Sequence, residues 1–357
     1  MKNVFRACST LLHLVKDPRY NTSYYPDAIQ KSKSRIAVEL IMWLLKHREI
    51  NKFYYVYGLD VENGGRKKDI LPYKTFRALR DKKNLHPAGK NFNYASLLRD
   101  KFIFGQLLAS LQVPTPKNIA LLDREKITWL DTMHTMPLAD LKNIKTVING
   151  FCKQLTGLMG EGAFPLMISR GKFYSRNREL SMSAFRQIVD GEYLLQELIQ
   201  QHPVMVRLHD ASVNTMRVVT FHNRGCVDVF CATQRIGTNR KNVDNWASGG
   251  IVVSIDISTG RLGKFGFFKP GYSGGRVEVH PDSGVRFNGY ELPYFQESLE
   301  MVSQLHRHLY GIHSIGWDIA VTSDGPVIIE GNDDWDGAIP MTVETDFKKR
   351  FLEKFIS

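Results

Sequence analysis

Residues 316–332 read Gly-Trp-Asp-Ile-Ala-Val-Thr-Ser-Asp-Gly-Pro-Val-Ile-Ile-Glu-Gly-Asn, and this run leaves the chain little choice but a hairpin. Asp318 sits in a short apolar strand. Ser323-Asp324-Gly325-Pro326 supplies the residue types of a tight turn. The apolar run Val327-Ile328-Ile329 then delivers Glu330 and Asn332, which share one face because strand side chains alternate. The turn brings Asp318 back beside them. Three hard oxygen donors converge there, a set suited to Mg2+ rather than to zinc, and hence to chemistry on a phosphate-bearing substrate.

At 357 residues the chain is long enough for two or three lobes. Its 43% apolar and 24% charged content is that of an ordinary globular protein. Cys8, Cys152, Cys226 and Cys231 are scattered, with no Cys-x-x-Cys pair. That pattern argues against disulfide staples and structural zinc, and for a reducing compartment. Cys226 and Cys231 are expected as buried strand positions. Residues 1–16 lack the long apolar core and small-residue cleavage site of a signal peptide. The most apolar stretch, 36–45, is broken by Glu39 and falls well short of the ~18 residues of a spanning helix. A cytoplasmic protein is expected.

The net charge of +12 is concentrated at one end, where residues 1–100 hold 20 Lys and Arg against 9 Asp and Glu. An anionic membrane surface, a polyanionic substrate or carrier, and nucleic acid are the three partners such a region could meet. A solvated basic face without a partner is the fourth reading. No zinc finger or RNA-binding aromatic signature is present, so nucleic acid is the weakest of these.

Periodicity predicts helices over 28–48, 100–111, 180–189, 294–309 and 347–355. Strands are predicted over 118–122, 147–153, 192–199, 215–222, 227–234 and 250–257, with a strand pair inside 163–173. The 28–48 helix is apolar nearly all round from 36 to 45, which predicts burial against another lobe rather than contact with a membrane. Residues 63–68 read as a loop. The expected division is a basic, mainly helical region at 1–90, a second region at 91–145, a lid at 146–203 and a C-terminal unit at 204–357. The class is α+β, with antiparallel sheets dominating the second half.

Three further constellations carry chemistry. Lys153 ends a strand before a loop holding Gly157, Gly160 and Gly162. Such a lysine offers a point charge to a phosphate, and a glycine loop lets backbone N–H groups close over the rest. No Gly-Lys-Ser/Thr follows, so this is not a P-loop, and a plain hairpin turn would read the same way. Gln196-Glu197-Leu198-Ile199 is a buried strand opening into a connection, where an adenine edge can meet backbone groups. Arg217 and Arg235 lie in apolar strands, where a charge must be paired or aimed into a cleft.

Taken in order, a lysine with a glycine loop, a hinge strand, an arginine strand and Asp…Glu-x-Asn resemble the ATP-grasp superfamily. The resemblance runs from about residue 100 to the end. It is strongest to the sugar-transfer-associated, glutamate-ligase-like group, through Phe151-Cys152-Lys153, 157–162, Gln196-Glu197-Leu198-Ile199, 212–220, Asp244-Asn245 with Gly249-Gly250, His280-Pro281-Asp282 and 315–332. It implies an α+β fold of two lobes gripping ATP between antiparallel sheets, behind the helical basic N-terminal region. It further implies that Lys153 and Lys101 contact phosphates and that Gly157, Gly160 and Gly162 cover them. Gln196, Glu197 and Ile199 would line the adenine and ribose pocket. Arg217 would stabilise the transferred phosphoryl group, and Asp318, Glu330 and Asn332 would carry Mg2+. Arg235, Asp244, His280, Asp334 and Asp336 are acceptor-side candidates, with His280 as a general base and Trp335 stacked on a sugar ring.

The implied activity is an ATP-dependent carboxylate–amine ligase acting through an acyl phosphate, on an amino acid or sugar precursor of surface polysaccharide. Two readings stay open beside it. One is a phosphotransferase acting on a hydroxyl. The other is a non-catalytic nucleotide-binding protein at a membrane surface. The chain departs from many superfamily members by having Lys153-Gln154 in place of Lys-Pro.

Overall fold

Two antiparallel sheets form the body of the chain in a computed structural model that describes residues 17–62, 69–86, 91–143, 146–157, 162–176, 178–272 and 275–356. The expected loop at 63–68 and the position of Gly160 lie outside the described residues. The first sheet contains β1 (Asn118–Leu122), β2 (Lys126–Trp129), β3 (His134–Pro137), β4 (Ile148–Gln154), β5 (Phe164–Ser169), β6 (Lys172–Ser175), β7 (Arg178–Leu180) and β8 (Tyr193–Glu197), in the order β3-β2-β1-β8-β4-β5-β6-β7. The second contains β9 (Met216–Asn223), β10 (Cys226–Ile236), β11 (Ile251–Ile255), β12 (Leu262–Phe268), β13 (Arg276–Val277), β14 (Ser314–Thr322) and β15 (Gly325–Asn332), in the order β13-β12-β11-β10-β9-β14-β15.

Period-two alternation builds the first lobe. Phe164, Leu166 and Ile168 of β5 alternate into the interior. There they meet Cys152, Phe173, Phe185 and Leu195. The expected boundary at 145/146 is not where the fold divides. Strands β1–β3 join β4–β8 through the β1–β8 pairing, so one sheet spans both sides of that boundary. The second sheet begins at β9.

The second sheet is covered on both faces, which is why β14 is buried from Ser314 to Val321. On one face Trp317, Ile319 and Val321 meet Val302 and Leu305 of the helix Phe295–His308. On the other, Val219, Phe221, Phe230 and Cys231 pack with Tyr54, Val56, Tyr57 and Phe76. Tyr54, Val56, Tyr57 and Phe76 therefore share one core with the C-terminal sheet. The helix Tyr73–Asn84 carries this contact, its Phe76 ring 5.0 Å from both Trp335 and Phe351.

Two expectations about burial are corrected. In the helix Lys33–His47 only Ile36 and Leu40 are buried, while Val38, Ile41, Met42 and Leu45 are 52–74% exposed. Their i, i+3, i+4, i+7 spacing puts them in one solvent-facing stripe. An apolar pattern all round a helix does not reveal how many of its faces a partner covers, and here one row of contacts seats the helix. Cys226 is exposed at the start of β10, whereas Cys231 is buried.

Candidate active site

The β14–β15 hairpin sets Asp318 opposite Glu330 and Gly316 opposite Asn332. Gly316 has to be glycine, because a Cβ there would stand 2.6 Å from the Trp335 Cβ. On its other edge β14 pairs with β9, placing Asp318 opposite Arg217. Arg217 donates from Nε to Asp318 Oδ1 at 2.6 Å and from Nη2 to Oδ2 at 3.1 Å. Arg235, from β10, adds Nη2 to Oδ2 at 2.8 Å. Arg235 also donates to Thr215 Oγ1 at 2.7 and 3.0 Å, and Thr215 in turn donates to Asp244 Oδ2 at 2.5 Å. A carboxylate offers about four acceptor sites. Three are used on Asp318, so it can give a metal at most one.

The electrostatics of the two facing carboxylates differ. Burial alone would raise the Asp318 pKa, but the Arg217 and Arg235 guanidiniums outweigh it and hold the group well below the usual carboxylate range. Glu330 goes the other way. Burial raises it, the Asp318 charge adds to that, and Lys101 and Lys153 offset only part. A buried carboxylate raised by its neighbour is the environment a divalent cation would relieve. Asn332 Nδ2 donates to Glu330 Oε1 at 3.3 Å and to the Gly316 carbonyl at 3.2 Å, which fixes the side-chain amide. Oxygen donors from Asp318, Glu330 and Asn332 fit Mg2+ by type.

The lysines come from the other sheet's side. Lys153 lies on β4, and its Nζ has no ion-pair or hydrogen-bond partner among the described residues; it lies 5.9 Å from the Phe151 ring. Lys101 opens the helix Lys101–Ser110, which Asp100 caps by accepting from Phe102 and Ile103 N–H, both at 2.9 Å. Its Nζ donates to the Gly157 carbonyl at 2.6 Å. Burial lowers the pKa of both ammonium groups, and Glu330 opposes the shift in each. Gly162, at φ +67°, is where the glycine loop re-enters the described structure, and a Cβ there would meet the Tyr193 hydroxyl at 2.7 Å. Gln196 is buried and bonded to Asn118 Oδ1 at 2.9 Å, whereas Glu197 is exposed at the strand end.

One cavity of about 1520 Å³ joins the two halves. Lys101, Lys153, Gly157, Gln196, Glu197 and Ile199 line it from the first lobe and its hinge. Arg217, Arg235, Asp244, Asp318, Glu330, Asn332, Asp334 and Asp336 line it from the second.

Two expectations are overturned. His280 does not line the cavity. Its Nε2 is 2.8 Å from the Gly237 carbonyl, and its Nδ1 faces the N–H groups of Asp282 and Ser283 at 3.3 Å each. Both ring nitrogens are spent on a turn, and burial lowers its pKa, so no free base remains. Trp335 is 1% exposed, its Nε1 donates to Ser314 Oγ at 3.0 Å, and its ring meets Phe76 edge-on. It is a core residue with no open face for a sugar.

Sequence reasoning missed the residues that brace the hairpin. Asn84 Nδ2 donates to the carbonyls of Ser314 and Asp333 at 2.9 and 2.7 Å, and its Oδ1 accepts from Ser314 N–H at 2.9 Å. Arg80 donates to the Trp335 carbonyl at 2.5 Å, and Arg99 pairs with Asp333 at 2.8 Å. An Asn at a helix end and arginines in a basic region give no local signal of this task.

No curated protein matches the sequence. Solved structures similar to it include L-amino acid ligase from Bacillus licheniformis, at 9% identity and TM-score 0.39, covering 73% of this chain and 46% of that one. N5-carboxyaminoimidazole ribonucleotide synthetase from Thermotoga maritima gives 13%, 0.40, 81% and 56%. D-alanine-D-alanine ligase from Helicobacter pylori gives 12%, 0.40, 73% and 61%. The chain thus spans 46–61% of the length of these three structures. ATP-grasp enzymes bind ATP with Mg2+, and the cavity has unneutralised lysine on one side and grouped oxygen donors on the other. Residues 82–355 match the family described as "Sugar-transfer associated ATP-grasp", and the chain belongs to that family.

Proposed function

We propose that the protein is an ATP-dependent ligase that joins a carboxylate to an amine through an acyl phosphate, on an amino acid or sugar precursor of surface polysaccharide. The observation that supports this most is the layout of the cavity. Lys101 and Lys153 face Glu330, while Arg217 and Arg235 converge on Asp318. In the first displacement, a carboxylate oxygen bonds to the γ-phosphorus and the bond to the ADP oxygen breaks. In the second, an amine attacks as the free base, the acyl–oxygen bond breaks, inorganic phosphate leaves and the amine nitrogen loses a proton. The chain needs no side-chain nucleophile. Lys153 and Lys101 would bind phosphate oxygens, and Arg217 and Arg235 would meet charge on the transferred group. Mg2+, when bound at Asp318, Glu330 and Asn332, would neutralise phosphate charge.

A mass-spectrometric screen of amino acids and amino sugars with Mg·ATP tests the proposal. A condensed product formed with ADP and phosphate, only when both co-substrates are present, is the expected result. A phosphorylated product without condensation would establish the phosphotransferase reading instead.

We also infer a place for the protein at the cytoplasmic face of an anionic membrane. The exposed stripe of Val38, Ile41, Met42 and Leu45 supports it, as does the basic excess in residues 1–100. Among the described residues no helix is long and apolar enough to cross a membrane. Flotation with phosphatidylglycerol vesicles, absent with phosphatidylcholine and lost in Ile41→Ser/Met42→Ser, is the outcome expected. Equal behaviour with both lipids would refute it.

A further inference from the structure

The cavity has more lining than the residues proposed above for the nucleotide. Its volume of about 1520 Å³ exceeds the ~300–1,000 Å³ typical of a pocket for one small ligand. Part of its lining, a wall including Arg48, Lys52, Phe53, Tyr73 and Arg77, comes from the N-terminal residues, and the family match begins only at residue 82.

That wall has an aromatic floor. Phe53 stacks on Trp246 with centroids 6.0 Å apart and planes 12° apart, and Tyr73 lies 6.2 Å from Phe53. Trp246 is fixed by its Nε1 bond to the Phe267 carbonyl at 2.9 Å. Around this floor stand Arg48, Lys52, Arg77 and Lys269, all lining the cavity. Among the described residues none of the four has an ion-pair or side-chain hydrogen-bond partner. The carboxylate of Glu49, on the same wall, accepts from the N–H groups of Tyr73 and Lys74 at 2.9 and 2.8 Å, so it is spent on a helix start. Arg48 sits at φ +52° as the C-cap of the helix Lys33–His47. That conformation ordinarily selects Gly or Asn, yet an arginine stands there and reaches the cavity. Just after the hairpin the lining is acidic, with Asp334 and with Asp336, whose charge acts on the Tyr73 hydroxyl at the edge of the floor.

We propose that this wall is the second-substrate site, for an amine-bearing ring compound that carries a phosphate or diphosphate. The ring would lie on the half-buried Phe53 and Tyr73, with Trp246 buried beneath Phe53 as support, and the phosphate among Arg48, Lys52, Arg77 and Lys269. The amine would meet Asp334 and Asp336 at the Tyr73 edge of the floor. An amino sugar phosphate and a nucleoside diphosphate amino sugar share this chemistry. The assignment rests on the ligase reading above and gives it a substrate class.

The test is calorimetry on the full chain, saturated with Mg2+ and a non-hydrolysable ATP analogue, using glucosamine, glucosamine 1-phosphate and UDP-glucosamine as probes. At least one phosphorylated probe binds about tenfold or more tightly than glucosamine, and which one does separates the two sources. The variant Lys52→Gln/Arg77→Gln, both positions being exposed, loses about tenfold of that affinity and keeps its affinity for the ATP analogue. Lys153→Ala shows the opposite split. Equal binding of all probes, no binding of any, an unchanged double variant, or competition between probe and ATP analogue would overturn the proposal. Failure of the ligase reading looks different: the probe binds as described, but no ADP or condensed product forms with any carboxylate.

Discussion

At the scale of single residues, the site trades stability for charge placement. Glu330 is buried and its pKa is raised, by burial first and by the Asp318 charge second, so at neutral pH its ionised form costs free energy until a cation arrives. Replacing it with Gln keeps the shape and removes the cost. Glu330→Gln is expected to raise Tm in the absence of metal by roughly 2–4 °C, the shift that about 1 kcal/mol produces in a domain of ~200 residues. The same variant is expected to lose about 100-fold or more in turnover. A Tm that falls, or turnover that survives, would contradict this account. Lys153 has the complementary part, since its buried ammonium has no partner among the described residues. Lys153→Ala should weaken binding of an ATP analogue by about 10–100-fold, the range for losing one charged hydrogen bond, measured by calorimetry. Unaltered affinity would remove Lys153 from the phosphate site.

At the scale of elements, what could be read from the chain depended on how local its cause was. The β14–β15 hairpin is legible because turn residues and alternation within 17 positions dictate it, and the grouping of Asp318, Glu330 and Asn332 follows from the register. Strand β12 is not legible: Gly263 and Gly266 make it read as a loop, although a Cβ at Gly266 would stand 2.5 Å from Ile251 Cγ2. Strand β2 buries only Ile127 fully, too little for a period to show. His280 and Trp335 misled because residue type does not say which bonds a side chain has already made. The helix Tyr73–Asn84 shows the same limit, since its partners lie some 230 positions away. Asn84 satisfies three backbone groups at Ser314 and Asp333. Asn84→Ala leaves them buried without partners, at a cost of about 1–3 kcal/mol. Urea denaturation should show that loss, and Mg2+ affinity should fall with it, because the ends of the hairpin are released. A variant of unchanged stability would show that the clamp carries no energy.

At the scale of the whole molecule, acid should unfold the protein from beneath its site rather than by titrating the site. His306 lies under β14, with Nδ1 2.7 Å from Thr220 Oγ1 and Nε2 3.0 Å from the Ile312 carbonyl, and Thr220 Oγ1 also accepts from Trp317 Nε1 at 2.7 Å. Burial lowers its pKa to about 3. His313, just before β14, is lowered to about 4, again by burial. Both fall from an ordinary value of 6.5. In each case the folded state resists a proton that the unfolded chain accepts. The unfolded chain therefore binds more protons below pH 6.5, and stability is full above that value and lost as pH falls towards 4 and then 3. Each group contributes a slope of about 1.4 kcal/mol per pH unit in its window. Between pH 6.5 and 5 the unfolding free energy from urea titration should drop by roughly 3 kcal/mol for the pair, because the slope reaches its full value only below pH 6. Asp318, held low by Arg217 and Arg235, adds its own loss only below the ordinary carboxylate range. Activity lost between pH 6.5 and 5 should thus track the fraction unfolded, and ATP with Mg2+ should shift both curves to lower pH together. A flat stability profile across that interval, with activity falling alone, would place the sensitive proton in the cavity and not under the sheet.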